Sequence, residues 1–169
     1  MKNLLVADIF RGIARILEIR GDNPFRVRAY LRAADSIESL KGSIEDFITA
    51  GNVTDIAGIG KDLAEKINEI INTGKCIHYE ELKKTVPEGV IEMLSIPTIG
   101  PKTAKLFFEK FNIKTLDELQ DAIRANKFSG VKGIKQKTIE NIVKGIELFK
   151  KGGQRFDLLT VSRAAEDVV

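Results

Sequence analysis

Ile56-Ala57-Gly58-Ile59-Gly60-Lys61-Asp62-Leu63-Ala64-Glu65-Lys66-Ile67 places an apolar residue, a Gly-apolar-Gly turn and a helix opening with Lys in direct succession. The pattern returns at Ile96-Pro97-Thr98-Ile99-Gly100-Pro101-Lys102-Thr103-Ala104 and, degraded, at Val131-Lys132-Gly133-Ile134-Lys135-Gln136-Lys137-Thr138-Ile139. Glycines permit positive φ and close backbone approach. The helix that follows presents unpaired N–H groups and the positive end of its dipole to an anion. Three such devices in one short chain suggest a protein that tracks a polyanion.

Working outward, helical signals continue on both sides. Leu5, Ile9, Ile13, Ile16 and Leu17 recur at helical spacing across residues 4–19. Gly21-Asp22-Asn23-Pro24 then stops that helix and starts a second over 24–40, with Asn as N-cap, Pro at the first position, and Val27, Tyr30, Ala34 and Ile37 inward. Arg28 and Arg32 share one stripe of it, a solvated face or a grip on phosphate. Ser43 caps a short helix over 44–50 ended by Gly51, and 53–56 adds one turn before the first hairpin.

After that hairpin the spacing predicts a helix over 61–73, burying Leu63, Ile67, Ile70 and Ile71 with Lys66 on the flank of the apolar face. Shorter pieces are expected over 79–84 and 90–94, then helices over 102–111 and from the capping box Thr115-Leu116-Asp117-Glu118 to Ala125. A helix over 138–150 should end at Gly152-Gly153, with a last weak one over 158–169. No alternating strand pattern occurs, so the expected fold is all-α.

Composition limits the function. The chain has 169 residues, 43% hydrophobic and 30% charged, with a net charge of +3. No apolar run approaches the ~20 residues of a membrane span, and no signal-peptide pattern opens the chain, which points to a cytoplasmic protein with no membrane partner. One cysteine, Cys76, and one histidine, His78, cannot make a tetrahedral zinc site. Lysines concentrate late, at Lys127, Lys132, Lys135, Lys137, Lys144, Lys150 and Lys151.

A hairpin gripping phosphate reads no bases, so DNA binding through it is expected to be salt-sensitive and sequence-tolerant. Two hairpins could hold two strand segments, for example either side of a nick or gap. The plainer alternative, that each turn only packs helix on helix, stays open for a single copy and weakens with repetition. Among the copies, Thr98 replaces the first glycine of the second and Lys135 the second glycine of the third. The first is therefore expected to be the cleanest phosphate site and the third the least. Hairpin carbonyls of Thr54, Ile56 and Ile59, and of Leu94, Ile96 and Ile99, are candidates for a bridging Na+ or K+; no other cofactor is expected.

Asn23-Pro24-Phe25-Arg26-Val27-Arg28-Ala29-Tyr30 with Ala33-Ala34, then Ala64-Glu65-Lys66-Ile67 after the first hairpin, Thr73-Gly74-Lys75, Ile113-Lys114-Thr115-Leu116 and Gly145-Ile146-Glu147 form an ordered set. Together with the hairpins it resembles the N-terminal region of family X DNA polymerases, the group of DNA polymerase beta, particularly its bacterial and archaeal members. The resemblance covers nearly the whole chain. It implies tandem helix-hairpin-helix architecture, with a lyase-like domain over 1–85, a fingers-like domain over 86–153 and a terminal helix over 154–169.

In such polymerases the first part binds the 5′ side of a gap and can act as a 5′-deoxyribose phosphate lyase. By motif position Lys66 matches the Schiff-base lysine, Glu65 and Tyr30 match polar residues beside it, and Arg26 matches a basic residue of the 5′-phosphate pocket. His78 falls where the pattern has a basic residue, and Asp62 replaces another. The wider set of DNA-binding residues implied is Arg26, Arg28, Gly58, Gly60, Lys61, Lys75, His78, Gly100, Lys102, Thr103, Gly133, Lys135 and Lys137. Lysine reacts only as the free amine, and its unperturbed pKa of about 10.4 leaves little of that form near neutrality. Partial burial or the Arg26 charge is expected to lower that value; the competing expectation is a solvated lysine paired with Asp62 or Glu69. Nucleotidyl transfer needs metals clamped by carboxylates. No two aspartates lie two apart in this chain, so it is not expected to polymerise by itself.

Overall fold

The computed structural model describes residues 2–166, with side chains described as far as Gly152. Every element in this range is helical and no strand occurs among the described residues. The chain divides into two units, Met1–Pro87 and Glu88–Val169.

In the first unit, α1 (Asn3–Arg20) lies along α2 (Pro24–Glu38). Val6, Phe10, Ile13, Ile16, Leu17 and Ile19 of α1 are fully buried and meet Ala33, Ala34 and Ile37 of the core. Leu5 departs from the expected inward stripe and is 39% exposed. It stands at the edge of an apolar face whose centre Val6 and Ile9 already fill. Asn23 starts α2 as expected, its side chain accepting from the Phe25 N–H at 2.9 Å. Ser43 caps α3 (Ile44–Ala50), and a single 3-10 turn (Val53–Asp55) leads to the first hairpin. α4 (Lys61–Thr73) and α5 (Ile77–Lys83) complete the unit. Gly21, Gly51 and Gly74 close α1, α3 and α4 in the left-handed conformation.

One polar side chain is buried with this core. Asn3 Oδ1 accepts the Ile44 N–H at 2.9 Å while its Nδ2 donates to the Gly42 carbonyl at 2.9 Å. The start of α1 thereby satisfies both a carbonyl and an N–H of the loop between α2 and α3.

In the second unit, α6 (Glu88–Met93), α7 (Pro101–Phe111) and α8 (Leu116–Arg124) surround Met93, Ile96, Phe107, Leu119 and Phe128. Phe128 stacks edge-on to Phe111 at 4.9 Å and tilted on Phe107 at 5.0 Å. Thr115 caps α8 by accepting the Glu118 N–H at 3.1 Å. The Glu118 carboxylate returns to the N–H of Lys114, one residue earlier than a capping box requires. α9 (Gln136–Glu166) runs without interruption, which corrects the expected break at Gly152-Gly153. A glycine costs a helix interior about 1 kcal/mol relative to Ala but remains compatible with α geometry. No proline follows to enforce a stop. Residues 167–169 of the expected last helix lie outside the described residues.

Asn3→Ala should strand the Ile44 N–H and the Gly42 carbonyl and lower stability by about 2 kcal/mol. Urea unfolding followed by circular dichroism reads this as a fall in midpoint at unchanged slope.

Candidate nucleic-acid interface and lysine site

All three hairpins are built on one turn. Ile59 donates its N–H to the Ile56 carbonyl at 3.0 Å, Ile99 to Ile96 at 2.9 Å and Ile134 to Val131 at 3.2 Å. Ile56, Ile59, Ile96, Ile99 and Ile134 are buried, while Gly58, Gly60, Gly100 and Gly133 are exposed. Apolar pins hold each turn from below and leave its backbone facing solvent. The turn takes one lone pair of the Ile56 and Ile96 carbonyls and leaves each a second.

The glycines are not equivalent. Gly58 (φ 82°) and Gly133 (φ 88°) occupy the left-handed region, whereas Thr98, at the same turn position, does not. Gly60 (φ −88°, ψ −177°) and Gly100 (φ −90°, ψ 176°) are extended, a conformation open to any residue. Lys135 therefore sits where no special backbone is needed. The first and third turns thus share the demanding glycine, and the second achieves its turn without one.

Gly60 and Gly100 are also the N-caps of α4 and α7, so no side chain occupies the first-turn N–H groups. Lys61 and Lys102 are exposed at these helix starts, Lys135 and Lys137 at the start of α9, and Thr103 is half-buried. Arg26, Arg28 and Lys75 are exposed on the first unit, Arg28 lying 4.9 Å over the ring of Phe25, itself 74% exposed. The aliphatic chain of Arg32 lies beside Gly58, 3.2 Å from where a Cβ would stand.

Next to the first hairpin a polar cluster forms around Lys66. Its ammonium donates to both carboxylate oxygens of Asp62 at 3.0 Å. The Lys66 side chain is 17% exposed and that of Asp62 79%. Tyr30 is buried, packed edge-on to Phe10 at 5.5 Å and parallel to the His78 imidazole at 6.5 Å. Of the residues named from sequence, Lys66 and Arg26 bring positive charge to bear on both Tyr30 and His78. Glu65 is exposed and makes no ion pair among the described residues.

Burial lowers the Lys66 pKa, but the Asp62 hydrogen bond and the charges of Tyr30, Asp62 and Cys76 outweigh it and leave it above the ordinary lysine value. The expected depression is thus overturned, because the i,i+4 carboxylate restores the solvation that burial removes. Burial raises the Tyr30 hydroxyl against the opposing pull of Lys66 and Arg26. His78 is lowered by burial and by the same two cations, and its buried Nε2 has no partner to receive a proton. Burial also pushes up the Cys76 thiol, which is fully enclosed. The competing expectation of a pair with Asp62 or Glu69 resolves to Asp62, at a spacing of four on the same helix, while Glu69 accepts the Ile77 N–H instead.

A helix-hairpin-helix domain model matches residues 1–76, and a SAM-like helix-hairpin-helix tandem model matches residues 90–147. The chain is a tandem helix-hairpin-helix protein. It is 30% identical over 160 residues, 95% of its length, to the DNA polymerase/3'-5' exonuclease PolX of Bacillus subtilis (strain 168). Over 119 residues, 70% of its length, it is 25% identical to DNA polymerase lambda of Rattus norvegicus. It corresponds to the N-terminal region of the family X DNA polymerases. The chain spans 28% of the Bacillus relative and 20% of the rat one.

Two outcomes follow from this geometry. Gly58→Ala should cost about 1–2 kcal/mol, since it forces an L residue into the left-handed region against Arg32. Gly60→Ala, with open space at its Cβ and an extended backbone, should lower the urea midpoint less than Gly58→Ala, by what Ala loses to Gly at a helix N-cap. As pH falls below about 6.5, unfolded chains protonate their histidine while folded His78 resists, so folding stability should decline until the depressed folded pKa is reached. Urea midpoints between pH 7.5 and 5.5 should show this slope, and His78→Gln should flatten it.

Proposed function

We propose that the chain is a cytoplasmic DNA-repair module that binds gapped or nicked DNA without sequence preference and carries 5′-deoxyribose phosphate lyase activity at Lys66. The observation that carries the reading is the repeated hairpin with buried apolar pins, exposed backbone and an unoccupied first helical turn. Backbone N–H groups, the helix dipole and the flanking lysines together suit phosphate rather than base edges. A monovalent cation on the hairpin carbonyls belongs to the same reading.

For the lyase step, neutral Lys66 Nζ adds its lone pair to the C1′ aldehyde carbon, and the carbonyl oxygen leaves as water to form an imine. A base then takes the C2′ proton, its bond electrons form the C2′–C3′ double bond, and the C3′ oxygen departs with the phosphate. Hydrolysis of the imine returns the lysine. Arg26 and the first hairpin would position the 5′-phosphate, and the ring of Tyr30 would line the sugar side. Glu65, exposed, would contribute from the rim.

The Asp62 pair favours a second reading, in which the module binds DNA without catalysis and delivers a partner to it. Borohydride trapping on incised abasic DNA separates the two. The lyase reading expects a covalent adduct with wild type and none with Lys66→Ala; an adduct persisting in the variant sinks the assignment. Binding to gapped DNA should weaken steeply between 50 and 200 mM salt. Lys102→Ala should weaken binding alike on unrelated sequences.

A further inference from the structure

Asp62 sits on the first turn of α4, where the family pattern has a basic residue, and it is the only group whose hydrogen bonds engage Lys66 among the described residues. The two 3.0 Å contacts use both carboxylate oxygens, so the ammonium is turned along its own helix toward the first hairpin. The remaining groups facing Lys66 cannot replace that hold. Tyr30 on α2 is neutral near pH 7, with its hydroxyl raised by burial. Cys76, ahead of α5, is likewise kept a thiol. Arg26 and His78 bring either positive charge or none.

We propose that Asp62 restrains Lys66, holding it as a hydrogen-bonded ammonium and so setting a low basal rate of imine formation at neutral pH. This inference rests on the lyase reading of the site. An ammonium has no lone pair to offer the C1′ carbon. Before attack, one proton must pass from Nζ to Asp62 or solvent, and the pair must open. Asp62, exposed and on the open side of the cluster, can leave without disturbing the core. Its own departure is the accessible step, because Lys66 is anchored by a largely buried stem. The restraint also accounts for a lysine that is half-enclosed yet not depressed in pKa.

The test compares wild type, Asp62→Asn and Lys66→Ala in borohydride trapping on incised abasic DNA from pH 6 to 10. Because the i,i+4 pair engages a largely enclosed ammonium, Asp62→Asn should trap about threefold faster at pH 7. Its pH profile should move to lower pH, with the gain held up to pH 10, where wild-type Lys66 is still largely an ammonium. In the DNA-free protein, the Lys66 Cε resonance should titrate at lower pH in Asp62→Asn. Wild type that traps at Lys66 while Asp62→Asn traps no faster overturns the restraint and leaves the lyase reading standing. An unchanged Lys66 titration midpoint overturns it independently of any DNA chemistry. No adduct from either protein at any pH overturns the lyase reading, and the restraint with it.

Discussion

The short turn hydrogen bond inside each hairpin, closed over a buried isoleucine, is the constraint on which the rest of the molecule depends. Ile56 and Ile59, like Ile96 and Ile99, are buried side by side while the backbone between them is forced outward. Burying an isoleucine side chain stabilises by roughly 1.5–3 kcal/mol, which comfortably exceeds the cost of one constrained turn. The turn direction then fixes where α4 and α7 begin. Their glycine N-caps leave the first-turn N–H groups without side-chain partners. The open first turns of α4 and α7 are thus a by-product of core packing.

The cluster around Lys66 shows how burial and the neighbouring groups act in opposite directions on one side chain. Enclosure alone would make this lysine a ready nucleophile, as burial does elsewhere. Asp62, although itself largely exposed, supplies the largest of the effects opposing burial through its hydrogen bonds at 3.0 Å, and the charges of Tyr30 and Cys76 add to it. His78, lacking any such partner, moves in the direction burial dictates. Two basic groups in one cluster are therefore pushed opposite ways.

Local punctuation made most of the fold legible in the sequence. Asn23-Pro24, Ser43, Gly51, Gly74, Pro101 and Thr115 all mark helix ends because their side chains or backbone act within one turn. What depends on distant partners was not legible. Asn3 gives no local sign that it will bridge Gly42 and Ile44, since those groups arrive only after α2 has folded back. Gly152-Gly153 reads as a stop in isolation, yet the helix continues through it. The membership of the lysine cluster followed from motif position, whereas its electrostatic balance required coordinates. Asp62 carries its charge at a helical spacing that many solvated pairs share.

Thr98 carries a lesson about how such modules drift. The second hairpin keeps the turn hydrogen bond and both buried isoleucines while discarding the left-handed residue that the first and third retain. A search profile weighted on the glycine doublet would score this copy poorly, and one weighted on the buried pair and the helix start would find it. Over evolutionary time the visible signature can erode while the mechanical unit persists. Hairpins of this kind should therefore be more numerous among helical proteins than their glycines advertise.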